Sequence, residues 1–494
     1  MFEPLPASRW NETTAAHLLS RAGFGGSPQE IADLHKMGLD QAVSYLVDYD
    51  RIPDNEPAPD WVRSNSTIVQ QNQVYGEAMR LSDEETKRKL REAQDSGRRG
   101  QIFDLRYWWL RRMALGPRPF QEKMTLFWHG HFATGFDKVN LPYLLWLQNE
   151  TLRQHALAPF GQLLVAVARD PAMLIYLDGA YSHKGKPNEN FAREVMELFT
   201  LGEGHYTEQD IQQAAKAYTG WGLTKDRQAY EYHPKDHDDG PKTIFGQTSN
   251  FTGEEVLGLI VAKPECAEFI SAKLWRFFVQ DEPPPALVAA LGREFQAHGM
   301  DVKHLMTTIF RSREFYSPDV IRAQIKSPAQ WLIETSHQLE SPLPTRPMSL
   351  AILNALGQDL FQPPNVKGWP GGITWITTTS LLNRYNFAAE LVEGKRVQIP
   401  SLQGPMHGIL SSLQDPDGLL EIEPANVTSL FTQVELSSSD QFLAALQARF
   451  LNGTLKPQRL QPLQDFLKTR LPIVDEDIRK CVRLIMSTPE YQLT

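Results

Sequence analysis

The sequence predicts a mainly α-helical, multi-helical protein with one small β-hairpin inserted around residues 228–248. Three observations support this prediction. Helix-start signals recur along the chain, as in Ser27–Glu30, where a capping serine is followed by proline and then by glutamate. Apolar residues recur at intervals of three and four, as in residues 207–218. Strand-forming residues next to turn residues are concentrated in a single region.

The individual elements follow from these signals. The charged run Glu84–Met113 predicts a long helix that is interrupted near residues 95–97. Pro119 predicts the start of another helix, because proline suits the first helical position. The β-hairpin is predicted to pair Tyr230–His233 with Lys242–Phe245 across a polar turn.

The length of 494 residues predicts more than one structural unit, since single cores stop growing well below this size. Proline-rich breaks occur at residues 283–285, 341–347 and 400–405. We expect the last break to separate a main helical domain, residues 1–400, from a small C-terminal helical unit, residues 401–494. The main domain contains the candidate site.

Composition excludes several classes of protein. Apolar residues make up 41% and charged residues 22%, as in ordinary globular chains. The net charge of -9 and the absence of a long basic run exclude nucleic acid as the main partner. Two cysteines, Cys266 and Cys481, are too few for a thiolate zinc site or a disulfide framework. We expect both to be buried free thiols rather than one bridge.

The sequence also bears on location and cofactors. No run of 18 apolar residues occurs, so no membrane span is expected. Residues 1–14 lack a basic region followed by an apolar run, which predicts a cytoplasmic protein, or a periplasmic or exported one if the N-terminus has been trimmed. Residues 179–186 and 202–204 fail the patterns of phosphate-binding and dinucleotide-binding loops. The cofactor is therefore unknown, with a divalent metal as one interpretation.

The helix predicted over Glu189–Phe199 carries the main candidate site. Asn190, Arg193, Glu194 and Glu197 fall on one polar face of it, and apolar residues fill the rest. The two glutamates, three residues apart, bring their Cβ atoms within about 5–6 Å, which splits the pKa values of a like-charged pair. Such a pair supplies a proton donor and an ionised base. The alternative is a solvated face whose charges form ion pairs along the helix.

A metal interpretation rests on His129 and His131. Two histidines at this spacing chelate a metal from a strand or from a loosened helix end, and Gly130 allows such loosening. The alternative is that one histidine caps the helix and the other packs in the core. The single Glu-x-x-His pattern, Glu334–His337, is one short of the two that a di-iron bundle needs.

The remaining candidate residues lie in loops. If the turn that contains His237 and Asp238 lies beside a cleft, these two residues are candidates for an acid/base pair. The alternative is a polar turn that faces solvent. Trp369 lies in a Pro/Gly-rich loop, where it stacks on a sugar ring or plugs the core. The candidate substrate-binding residues are Asn190, Arg193, His205, Lys242 and Trp369.

Several blocks of sequence, including KMTLFWHGHFAT at 123–134, resemble the bacterial family catalogued as domain of unknown function 1800. The other blocks are residues 17–31, 187–221, 237–256, 273–279 and 363–372. Members of that family often resemble exported bacterial proteins and are often accompanied by a sulfatase-like partner family. The resemblance therefore implies a bacterial protein and such a partner, but it implies no reaction.

These residues together favour a hydrolase acting on a carbohydrate or a similar polar polymer, with a polysaccharide or protein partner. Glu194 and Glu197 are its predicted catalytic carboxylates, assisted by His237 and Asp238. One alternative is a non-catalytic helical scaffold or binding protein. Another is a metal-dependent enzyme using His129 and His131 with the two glutamates.

Overall fold

The computed structural model describes residues 2–62, 75–398 and 419–494, and it confirms a mainly α-helical fold. The first helices are α1 Glu12–Ala22, α2 Pro28–Met37, α3 Leu39–Val47, α4 Glu84–Leu115, α5 Pro119–His131, α6 Phe136–Val139, α7 Pro142–Gln154, α8 Phe160–Ala168, α9 Pro171–Tyr176, α10 Glu189–Glu197 and α11 Glu208–Ala217. The later helices are α12 Gly253–Val261, α13 Pro264–Phe278, α14 Pro285–Ala297, α15 Val302–Arg311, α16 Pro328–Gln338, α17 Arg346–Leu356, α18 Thr378–Glu393, α19 Ser439–Leu451, α20 Pro457–Leu467 and α21 Asp475–Met486.

The helix-start signals act as the sequence predicts. Ser27 accepts from the backbone N–H of Glu30, whose carboxylate accepts from the backbone N–H of Ser27. The interruption predicted near residues 95–97 is wrong, because α4 is continuous from Glu84 to Leu115. A glycine inside a helix costs only about 1 kcal/mol, and ion pairs along this exposed face, such as Arg98 with Asp95, support the helix.

The β structure is minor, and its pairing differs from the predicted hairpin. Strand β1, Trp221–Leu223, is antiparallel to β2, Tyr230–Tyr232, and β3, Lys242–Ile244, is antiparallel to β4, Gln247–Ser249. Strand is therefore present in both predicted places, but the pairing of 230–233 with 242–245 is wrong. Each strand finds a nearer partner. For β3 the reason is the Phe245–Gly246 turn, whose positive φ angles join two strands tightly.

A third two-stranded sheet occurs later in the chain. Strand β5, Lys395–Gln398, pairs with β6, Leu419–Ile422, and Lys395 lies opposite Ile422. The predicted boundary at residue 400 falls between these strands and outside the described residues. The division into residues 1–400 and 401–494 therefore stays a prediction.

Buried apolar side chains form two clusters that meet at α5. Phe127 and Trp128 belong to the first cluster, while Leu126, the preceding residue, belongs to the second with Trp331. Cys266 and Cys481 are both buried and free, as expected from the sequence. Among the described residues, no helix combines the length and the apolar character needed to cross a bilayer.

Candidate functional site

A cavity of about 640 Å³ lies beside α5. This volume falls within the range of small-molecule sites, which occur preferentially where two structural layers meet. Side chains of α5, of α13 and of the loop after α17 supply most of its wall. The basic side chains that line it are Arg21, Lys123, Lys273, Arg276 and Lys367.

One face of α5 forms a wall of the cavity. Lys123, Phe127 and Gly130 follow one another at intervals of four and three residues, which places them on the same side of a helix. Lys123 is buried, since α5 packs into cores on both sides. A charged side chain therefore reaches the cavity from a buried helix.

The loop after α17 closes the opposite side with aromatic side chains. Trp369 is half-buried, and its ring centroid lies 5.6 Å from that of His129. Trp375 is buried at the end of a short turn, Gly372–Trp375. Both tryptophans line the cavity, and the binding of a ring by this loop stays a prediction.

The buried cations of the cavity are held by neutral acceptors. Lys123 Nζ donates to the carbonyl oxygen of Gly23 at 2.8 Å and to Gln330 Oε1. Lys273 Nζ donates to the carbonyl oxygen of Leu198 at 3.1 Å and contacts His131 Nδ1 at 3.3 Å. Neither lysine therefore has its charge neutralised by the groups it bonds.

The electrostatics follow from this arrangement. Burial lowers the pKa of Lys123 to about 7 and that of Lys273 to about 8. Burial also lowers the pKa of Arg21 to about 9, although Asp281 and Glu334 oppose the change. Asp281 and Glu282 are the acidic side chains on the cavity wall, so basic groups outnumber acidic ones there.

The predicted catalytic pair lies outside this wall. Glu194 is half-buried. Burial raises the pKa of Glu194, and the charge of Glu197 raises it further, whereas the charge of Lys367 lowers it. Glu197 accepts a hydrogen bond from the Tyr206 hydroxyl at 2.8 Å. The like-charged pair is thus present on α10. Lys367 lines the cavity and also attracts Glu194, so its charge acts on both the cavity and the polar face of α10.

Arg193 and Asn190 differ from each other in their surroundings. The two terminal nitrogens of the Arg193 guanidinium, Nη1 and Nη2, each donate to Glu208 of α11 at 2.7 Å. This is a bidentate pair between helices rather than along one helix. Asn190 is exposed at the start of α10. The polar face of α10 is therefore partly an ion-pair surface and partly open.

The two predicted metal ligands have separate hydrogen-bond partners. His129 Nε2 accepts from the backbone N–H of Phe361 at 3.1 Å, and burial lowers the pKa of His129 to about 3. His131 Nε2 lies 3.0 Å from the carbonyl oxygen of Phe199, and its Nδ1 contacts Lys273. A metal at these histidines stays a prediction that requires such bonds to break.

The turn containing His237 folds back onto its own strand region. His237 Nδ1 donates to the carbonyl oxygen of Thr219 at 2.8 Å, and the backbone N–H of Asp238 donates to Thr219 Oγ1. Lys242 Nζ donates to the carbonyl oxygens of Asp238 and Gly240 at 2.6 and 3.0 Å. His205 is exposed in a separate loop. The structure places none of these side chains on the cavity wall.

Arg21, Lys123 and Lys273 were missed as site residues in the sequence. Each lies in a helix beside several apolar residues, as in the run KMTLFW that begins at Lys123. A lysine on the buried side of a helix is rare unless it has a partner or a ligand. That exception to the apolar pattern was the available signal.

The fold and the cavity define a mainly α-helical protein with a basic, aromatic-walled cleft. The chain belongs to the family described as protein of unknown function DUF1800, whose model matches residues 17–493. No curated protein and no solved structure matches the chain.

Proposed function

We propose that the cavity binds an anionic ligand that also presents a flat ring face, and that an acidic oligosaccharide is its ligand class. The observation that carries the proposal is the placement of Lys123, which is buried, and of Lys273, which is partly buried, among neutral hydrogen-bond acceptors. A buried charge that bonds no counter-charge directly is costly. Glu334 attracts Lys123 without bonding to it, and a bound carboxylate or sulfate that accepts from the lysines lowers the cost further.

The positions of the basic groups support an anion rather than a neutral ligand. Arg21 and Lys123 line the cavity from the α1 and α5 sides, and Lys273 and Arg276 line it from α13. Charge-assisted hydrogen bonds from such groups are roughly twice as strong as neutral ones. An anionic group between α5 and α13 therefore gains bonds that a neutral hydroxyl does not.

The aromatic groups support a ring-bearing ligand. Trp369 and Trp375 lie on the same loop and both face the cavity, and Phe127 and Phe277 add apolar surface. Aromatic faces suit the flat apolar faces of sugar rings. Of the partners expected from the sequence, an acidic polysaccharide fits this lining, and a sulfatase-like protein partner stays a prediction from the family.

Calorimetric titration of the full chain with galacturonate oligomers tests the proposal. We expect saturable binding to the wild type and at least about tenfold weaker binding to Lys273→Met, which removes a charge-assisted bond at similar volume. Trp369→Ala should also weaken binding by about tenfold, through the loss of ring contact. Neutral cello-oligosaccharides of the same length should bind more weakly than the acidic oligomers.

Lys138→Met is the matched control, because Lys138 pairs with Asp178 at 2.8 Å and does not line the cavity. It should bind the acidic oligomers as the wild type does. Equal affinity for acidic and neutral oligomers, or equal losses in Lys138→Met and Lys273→Met, would contradict the proposal.

Hydrolysis of the bound polymer by Glu194 and Glu197 is a second proposal. The raised pKa of Glu194 favours it, because a carboxyl group whose pKa is raised by burial is better suited to act as a general acid. Glu197, which accepts a hydrogen bond from Tyr206, is then the second carboxylate. Tyr206 orients the carboxylate of Glu197 in this scheme.

Reducing-end release from the same acidic oligomers tests this second proposal. Glu194→Gln should lower the rate by about 100-fold or more, since general acid catalysis contributes that much. Binding in the cavity should stay unchanged in this variant. A rate equal to that of the wild type would exclude Glu194 as the acid while leaving the binding proposal intact.

A further inference from the structure

A second group of potential ligands lies outside the cavity, at the end of α14 and the start of α15. Glu294, His298 and His304 each offer one ligand atom, and these atoms all lie within 4.8 Å of one another. The rings of His298 and His304 stack with centroids 3.7 Å apart and an interplanar angle of 19°. None of the three residues lines the cavity.

Hydrogen bonds already orient these side chains toward one another. His304 Nε2 lies 2.9 Å from Glu294 Oε1, and His298 Nδ1 lies 3.4 Å from the same oxygen. His298 Nδ1 is also 2.9 Å from the carbonyl oxygen of Glu294, which it meets as a donor at the helix end. In that tautomer the lone pair of His298 is on Nε2, free for a cation.

The turn between the two helices is held in place by the rest of the fold. The backbone N–H of Phe160 donates to the carbonyl oxygen of Met300 at 2.8 Å, and Met300 is buried. Asp301 caps α15 by accepting from the backbone N–H of His304 at 3.1 Å. The three side chains are therefore carried on a fixed support, which reduces the entropy lost when a ligand orders them.

We propose that Glu294, His298 and His304 form a binding site for a divalent transition-metal cation, with zinc as the fitting ion. Imidazole and carboxylate ligands suit zinc, whereas calcium and magnesium prefer sets made of oxygen alone. Zinc at about 2.0–2.2 Å from each ligand needs these atoms about 3.4 Å apart. Binding therefore requires the side chains to rotate, so that the distances shorten and the two stacked imidazole rings turn their nitrogen lone pairs toward one ion. Three protein ligands leave the fourth position to water.

Calorimetric titration of the chelator-treated full chain with zinc chloride tests this proposal. We expect one saturable site per chain, with affinity at least about tenfold lower in His304→Ala and in Glu294→Gln. Glu294→Gln keeps the volume of the side chain and removes its charge, so it serves where the alanine variant folds poorly. Cobalt substitution should give a visible absorption band that both variants lose.

His155→Ala is the matched control. His155 ends α7 and its Nδ1 lies 2.9 Å from the carbonyl oxygen of Thr151, the same arrangement that His298 has, but outside the cluster. It should bind zinc as the wild type does. Absence of a saturable site in the wild type, or unchanged zinc affinity in both cluster variants, would overturn the proposal.

Discussion

The α-carbon of Gly368 lies against the carbonyl oxygen of Gly130, so a side chain at Gly368 would overlap that oxygen. Gly368 also has a φ of 77°, a conformation that favours glycine. This close approach joins the loop after α17 to the end of α5. It sets the position of Trp369, whose ring lies beside His129 at the cavity wall.

We predict opposite effects for alanine at these two glycines. Gly368→Ala should lower the free energy of unfolding by about 2 kcal/mol or more, because both the contact and the backbone angle become strained. Gly130→Ala should be neutral or stabilising by up to about 1 kcal/mol, since its Cβ meets only Trp369 at 3.9 Å and alanine favours a helix. Urea unfolding of both variants measures this, and equal destabilisation would contradict the contact.

Lys123 predicts a pH dependence of stability. Burial holds its folded-state pKa near 7, below the value of about 10.4 in an unfolded chain. As the pH falls from about 10.4 to 7, the unfolded state takes up a proton that the folded state does not, so stability is lost over this range. Lys123 alone contributes a change on the order of 4 kcal/mol, which pH-dependent chemical denaturation measures.

Comparing Lys123 with Lys326, which is also buried, separates the pH dependence caused by Lys123 from the effect of replacing any buried lysine. Lys123→Met should flatten the dependence between pH 7 and 10. Lys326 instead has Glu334 at 3.0 Å, so Lys326→Met leaves a buried carboxylate without its ion pair and should destabilise by about 3 kcal/mol or more near pH 7. An unchanged pH profile in Lys123→Met would show that another group titrates.

Local signals in the sequence were enough for the helices, because caps and apolar periodicity act within a few residues. Ser27 and Thr207 begin their helices as predicted. Strand pairing depends on competition between several segments that could each pair with a given strand, so the residues of β2 and β3 were found but their partners were not. The positive φ angles at Phe245 and Gly246 explain why the nearer pairing wins for β3.

The candidate site residues also divide into those predicted from local spacing and those brought together only by the fold. The pairing of Glu194 with Glu197 depends on spacing within one helix, and the raised pKa of Glu194 agrees with it. Arg21 and Lys273, by contrast, reach the cavity from α1 and α13, which are more than 200 residues apart in the chain. Spacing carries no information about such a meeting. Trp369 was found because its loop composition is unusual by itself.

Glu194 and Glu208 should respond differently to the same substitution. Glu194→Gln removes the repulsion from Glu197 and should leave stability unchanged or raise it by less than about 1 kcal/mol, since the side chain is partly exposed and solvent screens the charge. Glu208→Gln breaks the bidentate pair with Arg193 and should lower the melting temperature slightly. Thermal unfolding compares the two, and marked destabilisation by Glu194→Gln would mean that its carboxylate is a structural partner.

Binding of an acidic ligand in the cavity should be accompanied by proton uptake. A bound anion favours the charged forms of Lys123 and Lys273, whose pKa values near 7 and 8 leave both partly neutral at pH 8. The protein should therefore take up about one proton at pH 8 and almost none at pH 6, where both lysines are already charged. Affinity should fall as the pH rises above 8.

Calorimetry with galacturonate oligomers in two buffers of different ionisation enthalpy measures this uptake, because the buffer supplies the proton. Lys123→Met should reduce the uptake at pH 8 more than Lys273→Met does, because a group with a pKa of about 7 is mostly neutral at that pH and one with a pKa of about 8 is half neutral. Lys138→Met, outside the cavity wall, should leave it unchanged. A binding enthalpy independent of the buffer at pH 8 would mean that neither lysine meets the anion.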